Sequence, residues 1–266
     1  MKNRIEKKFA ELKKAGKKAM VAFVTAGDPN LKFTPQVVWG LEEAGVDVVE
    51  LGMPFSDPMA DGPVIQKSSE RALKAGTKLP GIFKAVETIR KKSQVPILLM
   101  GYFNPILQYG ISDYFRDAKG AGVDGTLLVD LPPEEGEETR QAARKAGVSL
   151  IYLLAPTSDR KRIDLVRKKG SGFIYYVSLT GVTGAAIHAQ PEVKGQIQKV
   201  VKGSRLPVCV GFGIKTPEQA RAVAKLADGV VVGSALVDCF ASGKPQVGLE
   251  KAKKLAASIA KAVHSI

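Results

Sequence analysis

Short runs of apolar, largely β-branched residues recur along the 266-residue chain, at 20–26, 46–52, 95–101, 125–131, 148–154, 173–179, 206–212 and 229–235. Almost none alternates apolar with polar positions, so each predicts a strand buried on both faces, as in a parallel sheet. Helical signals fill the intervals. The run from Pro35 to Gly45 opens with Pro at a helix entry and closes on Gly. Between Pro133 and Gly147, Glu134, Glu135, Glu137 and Glu138 fall in the first turns and Arg144 and Lys145 in the last, matching the helix dipole. Thr216-Pro217 supplies an N-cap followed by Pro at the first helical position. The pair Ala-Gly closes helices at 44–45, 75–76, 121–122 and 146–147. Strand spacing is regular except between the second and third, where the interval predicts an extra helix at 62–75 before the usual one at 80–92.

Eight βα units in a chain of this length predict a (β/α)₈ TIM barrel, an α/β fold, as one domain over residues 1–266. A doubly wound open sheet is the rival, but it would carry a Gly-rich turn after its first strand. Here that turn is Thr25-Ala-Gly-Asp-Pro29, which is no dinucleotide fingerprint. The opening helix shows Ile5, Phe9 and Leu12 on one face and is expected to cap the barrel bottom.

Composition narrows the function classes. With 45% hydrophobic and 25% charged residues the chain is globular rather than disordered. Cys209 and Cys239 sit among apolar neighbours and form no disulfide framework. Forty Lys and Arg against 26 Asp and Glu leave a net charge of +14. The lysines scatter through every predicted helix and aromatics are only 6%, so a solvated basic surface is expected, with no nucleic-acid face. Such a balance still favours an anionic small substrate. The first 18 residues lack the apolar core of a secretory signal. Residues 170–191 carry no charge, which raises the question of a membrane span. Their Gly, Ser, Thr, His and Gln content argues instead for a buried strand followed by a polar loop. A soluble, cytoplasmic protein is the expectation.

In a barrel the reacting groups come from the carboxyl ends of the strands. Glu50 lies inside the apolar second strand, where an unpaired carboxylate is costly and burial raises its proton affinity. That suits proton transfer near neutrality. The alternative is a buried ion pair, but the inner strands offer no Lys or Arg. The following stretch, Met53 to Pro63, holds Asp57 and Asp61 between Pro and Gly residues. Asp57 reads equally as a turn former. Asp61 directly precedes the extra helix and could reach over the barrel mouth. Gly-bearing ends follow strands six (Thr180 to Gly184), seven (Gly211-Phe-Gly213) and eight (Gly233-Ser234). Glycines there admit backbone N–H groups close to a ligand, so a phosphate site is expected. No Lys lies near the ends of strands two to eight for Schiff-base chemistry. The two histidines, His188 in the loop after strand six and His264 in the terminal helix, supply no metal cluster. His264 is expected to be exposed. The chemistry predicted is proton transfer by carboxylates, without metal, cofactor or covalent nucleophile.

The runs Phe23 to Pro29, Val49 to Pro63 with Ile65-Gln66, Tyr102 to Pro105, Asp130 to Glu134, Ser178 to Gly184, Gly211 to Ile214 and Gly233-Ser234 occur in the order found in a known family. The chain resembles the tryptophan synthase α subunits over nearly its whole length. The resemblance implies retro-aldol cleavage of indole-3-glycerol phosphate to indole and glyceraldehyde 3-phosphate. It implies that Glu50 shuttles the protons, and that Asp61 holds the indole N–H and balances the positive charge developing on the ring. Phe23, Met100, Tyr102, Leu127, Val129, Leu153, Tyr175 and Phe212 would line the indole pocket. Gly184, Gly213, Gly233 and Ser234 would bind the phosphate, and Thr183 would meet Asp61 from a closing loop. A pyridoxal-phosphate β subunit in an α₂β₂ complex is the implied partner, taking indole through an internal passage. The cofactor would be the partner's, with none in this chain. The loops at 54–58 and 179–191 resemble the elements that carry signals between the subunits. Two other classes compete: a binding subunit that mainly activates a partner enzyme, and a synthase closing the indole ring, which usually employs a strand-end Lys.

Overall fold

A computed structural model describes residues 3–177, 191–211, 213–241 and 243–266. Eight parallel strands, β1 (Ala19–Thr25), β2 (Val48–Gly52), β3 (Ile97–Gly101), β4 (Gly125–Leu128), β5 (Ser149–Leu154), β6 (Ile174–Val177), β7 (Val208–Gly211) and β8 (Gly229–Val232), close into a barrel in chain order. Twelve helices are found among the described residues. They are α1 (Arg4–Lys14), α2 (Thr34–Glu43), α3 (Pro63–Lys74), α4 (Leu79–Arg90), α5 (Phe103–Tyr109), α6 (Ile111–Ala121), α7 (Glu137–Ala146), α8 (Arg160–Lys169), α9 (Pro191–Val201), α10 (Pro217–Ala224), α11 (Ser234–Asp238) and α12 (Pro245–His264). The fold is the (β/α)₈ barrel predicted from the apolar runs, with α3 as the extra helix after the second strand. The strands are buried on both faces because one face meets the helices and the other fills the barrel.

Two apolar clusters follow from that division. Outward residues such as Met20, Val49, Leu99 and Val210 pack under the helix ring. Inward residues Val21, Val48, Leu98, Leu127, Ile151, Cys209 and Val231 form the interior, and Ile5, Phe9 and Leu12 of α1 join them as the expected bottom plug. The Phe9 and Phe173 rings lie 5.5 Å apart. At Gly125 an added Cβ would stand 2.8 Å from Ile5 Cδ1, so the plug approaches the fourth strand more closely than any side chain there would allow. Asn3 fastens it: its side chain accepts the Glu6 N–H at 3.2 Å and donates to the Asp124 carbonyl and Ser149 hydroxyl at 2.9 and 2.7 Å.

Aspartates immediately before three strands satisfy the barrel's lower edge. Asp47, Asp124 and Asp228 accept the N–H groups of Met20, Ile97 and Val208, each at 2.9–3.0 Å. Asp124 also pairs with Arg90 at 2.7 Å and Arg4 at 3.0 Å. Burial lowers the Arg90 guanidinium to a pKa of about 10 against the opposing pull of Asp124. Removing the carboxylate would strand a largely buried cation and a strand N–H, so Asp124→Ala is expected to cost roughly 3 kcal/mol or more. A denaturant midpoint unchanged from wild type would contradict this.

Two expectations need correction. His264 is half-buried rather than exposed, with Nε2 2.8 Å from Asp47 Oδ2. The terminal helix α12 lies along α2 and β1, so its last turn ends at the strand entry where Asp47 is buried. The helix expected from Pro133 begins at Glu137, because Pro132 starts a tight turn whose carbonyl accepts the N–H groups of Glu135 and Gly136. Glu134 therefore precedes the helix and pairs with Arg162 at 2.9 Å. The Thr216 N-cap is found as predicted, completed to a capping box by Gln219.

Candidate active site at the barrel mouth

The mouth is built on strand parity. Register places Phe23 beside Glu50 and Glu50 beside Leu98, all on the inward face. On the same face lie Leu127 in β4, Leu153 in β5 and Tyr175 in β6, with Leu153, Tyr175 and Cys209 in register. The lower interior residues are fully buried, whereas Met100, Val129 and Leu153 above them are only partly so. The interior thus opens upward at the carboxyl ends of the strands. Gly52 stands where a Cβ would come within 2.5 Å of the Phe23 ring, so the strand carrying Glu50 keeps that ring against the pocket wall.

Glu50 is 0% exposed, and neither carboxylate oxygen has a hydrogen-bond partner among the described residues. Burial penalises the charged form, and the nearby Asp61 charge adds to it, pushing the pKa from the ordinary 4.5 to about 8. The alternative of a buried ion pair fails, since no cation meets the carboxylate among those residues. The Tyr175 hydroxyl and Cys209 thiol are both pushed well above their usual range, chiefly by burial and also by Glu50. Leu98, in register with Glu50, and Cys209, in register with Tyr175, belong to the buried interior around the carboxyl group. The sequence marks Cys209 only as a small apolar residue and assigns neither it nor Leu98 to the site, although their inward parity in β3 and β7 carries the signal.

Asp61 arrives from the loop after β2. That loop is anchored where the Met53 N–H donates to the Met100 carbonyl at 2.7 Å. The Asp61 N–H closes a turn onto the Pro58 carbonyl at 3.1 Å, and Gln66 Nε2 donates to the Asp61 carbonyl at 2.8 Å. Tyr102 holds the loop from across the mouth: its hydroxyl accepts the Ala60 N–H at 2.9 Å and its ring stacks on Phe55 at 5.1 Å. Partial burial raises the Asp61 pKa, and the Tyr102 hydroxyl bonded to its carboxylate acts in the opposite sense. The Tyr102 hydroxyl itself is pushed up to about 12, mainly by burial. Tyr102 is thus a strut for the acidic loop as well as a wall. Asp57 stays exposed and accepts the Ser56 hydroxyl at 2.5 Å, the turn role that its Pro-flanked position suggested.

Gly213, with φ +57°, follows β7, and Gly233 and Ser234 follow β8 at the start of α11. These ends lie on the same face as Glu50. Thr183, Gly184 and Phe212, the loop at 179–190 and His188 lie outside the described residues. No group of three or more His, Cys, Asp or Glu able to hold a metal ion occurs among the described residues. No described helix is long and apolar enough to cross a membrane.

A family model described as "Tryptophan synthase alpha chain" matches residues 9–264. The chain belongs to the tryptophan synthase alpha chain family. It is 57% identical over 237 residues to the alpha chain of Geotalea daltonii, covering 89% of this chain and 90% of that one. It is 58% identical over 238 residues to that of a Geobacter species, strain M21, covering 90% and 89%. The crystal structure of the alpha subunit from Legionella pneumophila superposes with a TM-score of 0.91 at 42% identity, over the full length of both chains. Membership makes this alpha chain a lyase of tryptophan biosynthesis that cleaves indole-3-glycerol phosphate to indole and glyceraldehyde 3-phosphate. It also implies a β-subunit partner.

Proposed function

We propose that Glu50 is the proton shuttle of the cleavage and that Asp61 is the counter-charge to the indole ring. The observation that carries this is a wholly buried carboxyl group with no partner and a pKa of about 8. At neutral pH it is mostly protonated and can act as an acid. It gives its proton to indole C3, leaving a positive charge spread toward the ring nitrogen. Asp61 accepts the ring N–H and balances that charge as it forms. The Glu50 carboxylate then takes the proton of the hydroxyl on the adjoining side-chain carbon. The bond between that carbon and C3 breaks, its electron pair restores the aromatic ring, and the carbinol becomes the aldehyde. Glu50 ends protonated, ready for the next cycle.

The rest of the site serves this exchange. Phe23, Met100, Tyr102, Leu127, Val129, Leu153 and Tyr175 line the indole pocket, dry enough to keep Glu50 neutral, and the family resemblance adds Phe212 to this set. Gly213, Gly233 and Ser234 with Gly184 hold the phosphate through backbone N–H groups and the serine hydroxyl. Thr183 meets Asp61 from the loop that closes over the mouth. The chain works as one barrel domain in the cytoplasm, in an α₂β₂ complex whose β subunit carries pyridoxal phosphate and receives the indole. The loops at 54–58 and 179–191, which resemble the family's signalling elements, couple the two sites.

Indole formation by the purified chain, with and without a tryptophan synthase β subunit, tests this reading. Slow turnover alone that rises at least tenfold with the partner is expected. Turnover indifferent to the partner would remove the coupling, and no indole in either case would remove the assignment.

A further inference from the structure

At the opposite end of the barrel from Glu50, a groove of about 750 Å³ runs between α1 and the turn that joins α9 to β7. Its floor is apolar, made by Phe9 and Leu12 of the plug helix and Leu206 of the turn. Its rim is cationic: Lys13, Lys17, Lys18 and Arg205. Among the described residues none of these four side chains has a carboxylate within ion-pair distance or a hydrogen-bond acceptor. Some surface cations are paired, as Arg140 is with Glu137 at 2.5 Å and Lys253 with Glu43 at 3.0 Å, but here four without a partner converge on one apolar groove. Glu6 and Asp228 share the wall, so four cations face two carboxylates. Asp228 is already engaged, accepting the Val208 N–H at 2.9 Å.

Two features of the fold produce this arrangement. The helix α9 runs back to the bottom, where the turn after it carries Arg205, and the plug helix α1 ends there in Lys13 and Lys14, cations that suit a helix carboxyl end. The turn from α1 into β1 adds Lys17 and Lys18 beside Lys13 of the last turn of α1. Clustered cations repel one another, and an anion seated among them would relieve that repulsion. The volume lies within the range of small-molecule sites, which pair an apolar lining with a few charged groups. A hydrated inorganic anion would leave the apolar floor unused, and a neutral apolar molecule would leave the cations unpaired.

We propose that this groove is a binding site for a small amphipathic anion, an aromatic or alkyl body ending in one carboxylate, sulfonate or phosphate. The body lies on Phe9, Leu12 and Leu206, and the head meets Lys13, Lys17, Lys18 and Arg205. The site is independent of the catalytic mouth.

The test uses the full chain with 8-anilino-1-naphthalenesulfonate as the fluorescent probe, its uncharged analogue N-phenyl-1-naphthylamine, and dodecanoate as competitor. The sulfonate is expected to bind saturably at one site in the micromolar range and to be displaced by dodecanoate but not by glyceraldehyde 3-phosphate. The exposed triple variant K13E/K17E/R205E is expected to lose at least tenfold in affinity while its indole release stays at the wild-type rate. Absence of saturable binding, equal affinity for the uncharged analogue, unchanged affinity in the variant, or displacement by glyceraldehyde 3-phosphate would each overturn the proposal. Failure of the catalytic reading would show separately, as loss of indole formation from the wild-type chain.

Discussion

Glu50→Gln is expected to lower indole release by about 10³-fold or more while the barrel and its affinity for substrate analogues persist. The amide has nearly the shape of the protonated acid but cannot give up or take back a proton, so both halves of the shuttle stop. The fold should tolerate the change because the wild-type group gains nothing from an ion pair: both oxygens lack partners among the described residues. The pH dependence of stability carries the same signature. In the unfolded chain the carboxyl titrates near 4.5 and in the barrel near 8, so the folded state holds the extra proton between those values. Wild-type stability contributed by this group is therefore full below about 4.5, declines as pH rises through the window, and levels above 8. The difference is on the order of a few kcal/mol. The Gln variant should match wild type near pH 5 and exceed it near pH 9. Equal stability curves for the two proteins would mean that the carboxyl is not held neutral.

Asp61→Asn is expected to lower indole release by about 10²- to 10³-fold, the usual consequence of removing one preorganised charge from a transition state. Substrate affinity should change much less, because the amide oxygen still accepts the indole N–H in the ground state. A second readout separates this role from a structural one. Asp61 is one of the two causes that raise the Glu50 pKa, after burial. Neutralising it should shift the alkaline limb of the residual pH–rate profile to lower pH. A limb that stays in place, or a loss confined to KM, would assign Asp61 to binding alone. Tyr102→Phe offers a milder companion, since it removes the acceptor of the Ala60 N–H and the donor to Asp61 while keeping the ring stacked on Phe55.

The barrel was legible because its strands are buried on both faces, which removes polar alternation and leaves eight clean apolar runs. Their punctuation was equally plain: Gly45, Gly76, Gly122 and Gly147 all take positive φ at the helix ends where Ala-Gly pairs announced them. Glu50 stood out for the physical reason that matters to the chemistry, a carboxyl group in a strand with no polar neighbour. Less visible were features set by contacts distant in sequence. His264 looked exposed because nothing near it in the chain indicates Asp47, more than two hundred residues away. The four Glu residues after Pro133 looked like one helix entry, yet the turn begun by Pro132 absorbs the first two. Tyr102 read as a pocket wall, and its hydroxyl bond to the loop at Ala60 spans 42 positions. The lysines read as scattered along the chain, and it is the docking of α1 across the barrel bottom, beside the turn after α9, that brings Lys13, Lys17 and Lys18 together with Arg205 in one cationic groove.

Titration of Glu50 itself tests the central claim most directly. Infrared difference spectra of wild type minus Glu50→Gln, recorded from pH 5 to 10, isolate the carbonyl stretch of the protonated carboxyl group. The band is expected to be present at neutral pH, to vanish with a midpoint near 8, and to move to lower pH in the Asp61→Asn background. A carboxylate signal already complete at pH 6 would contradict a proton shuttle held neutral by burial.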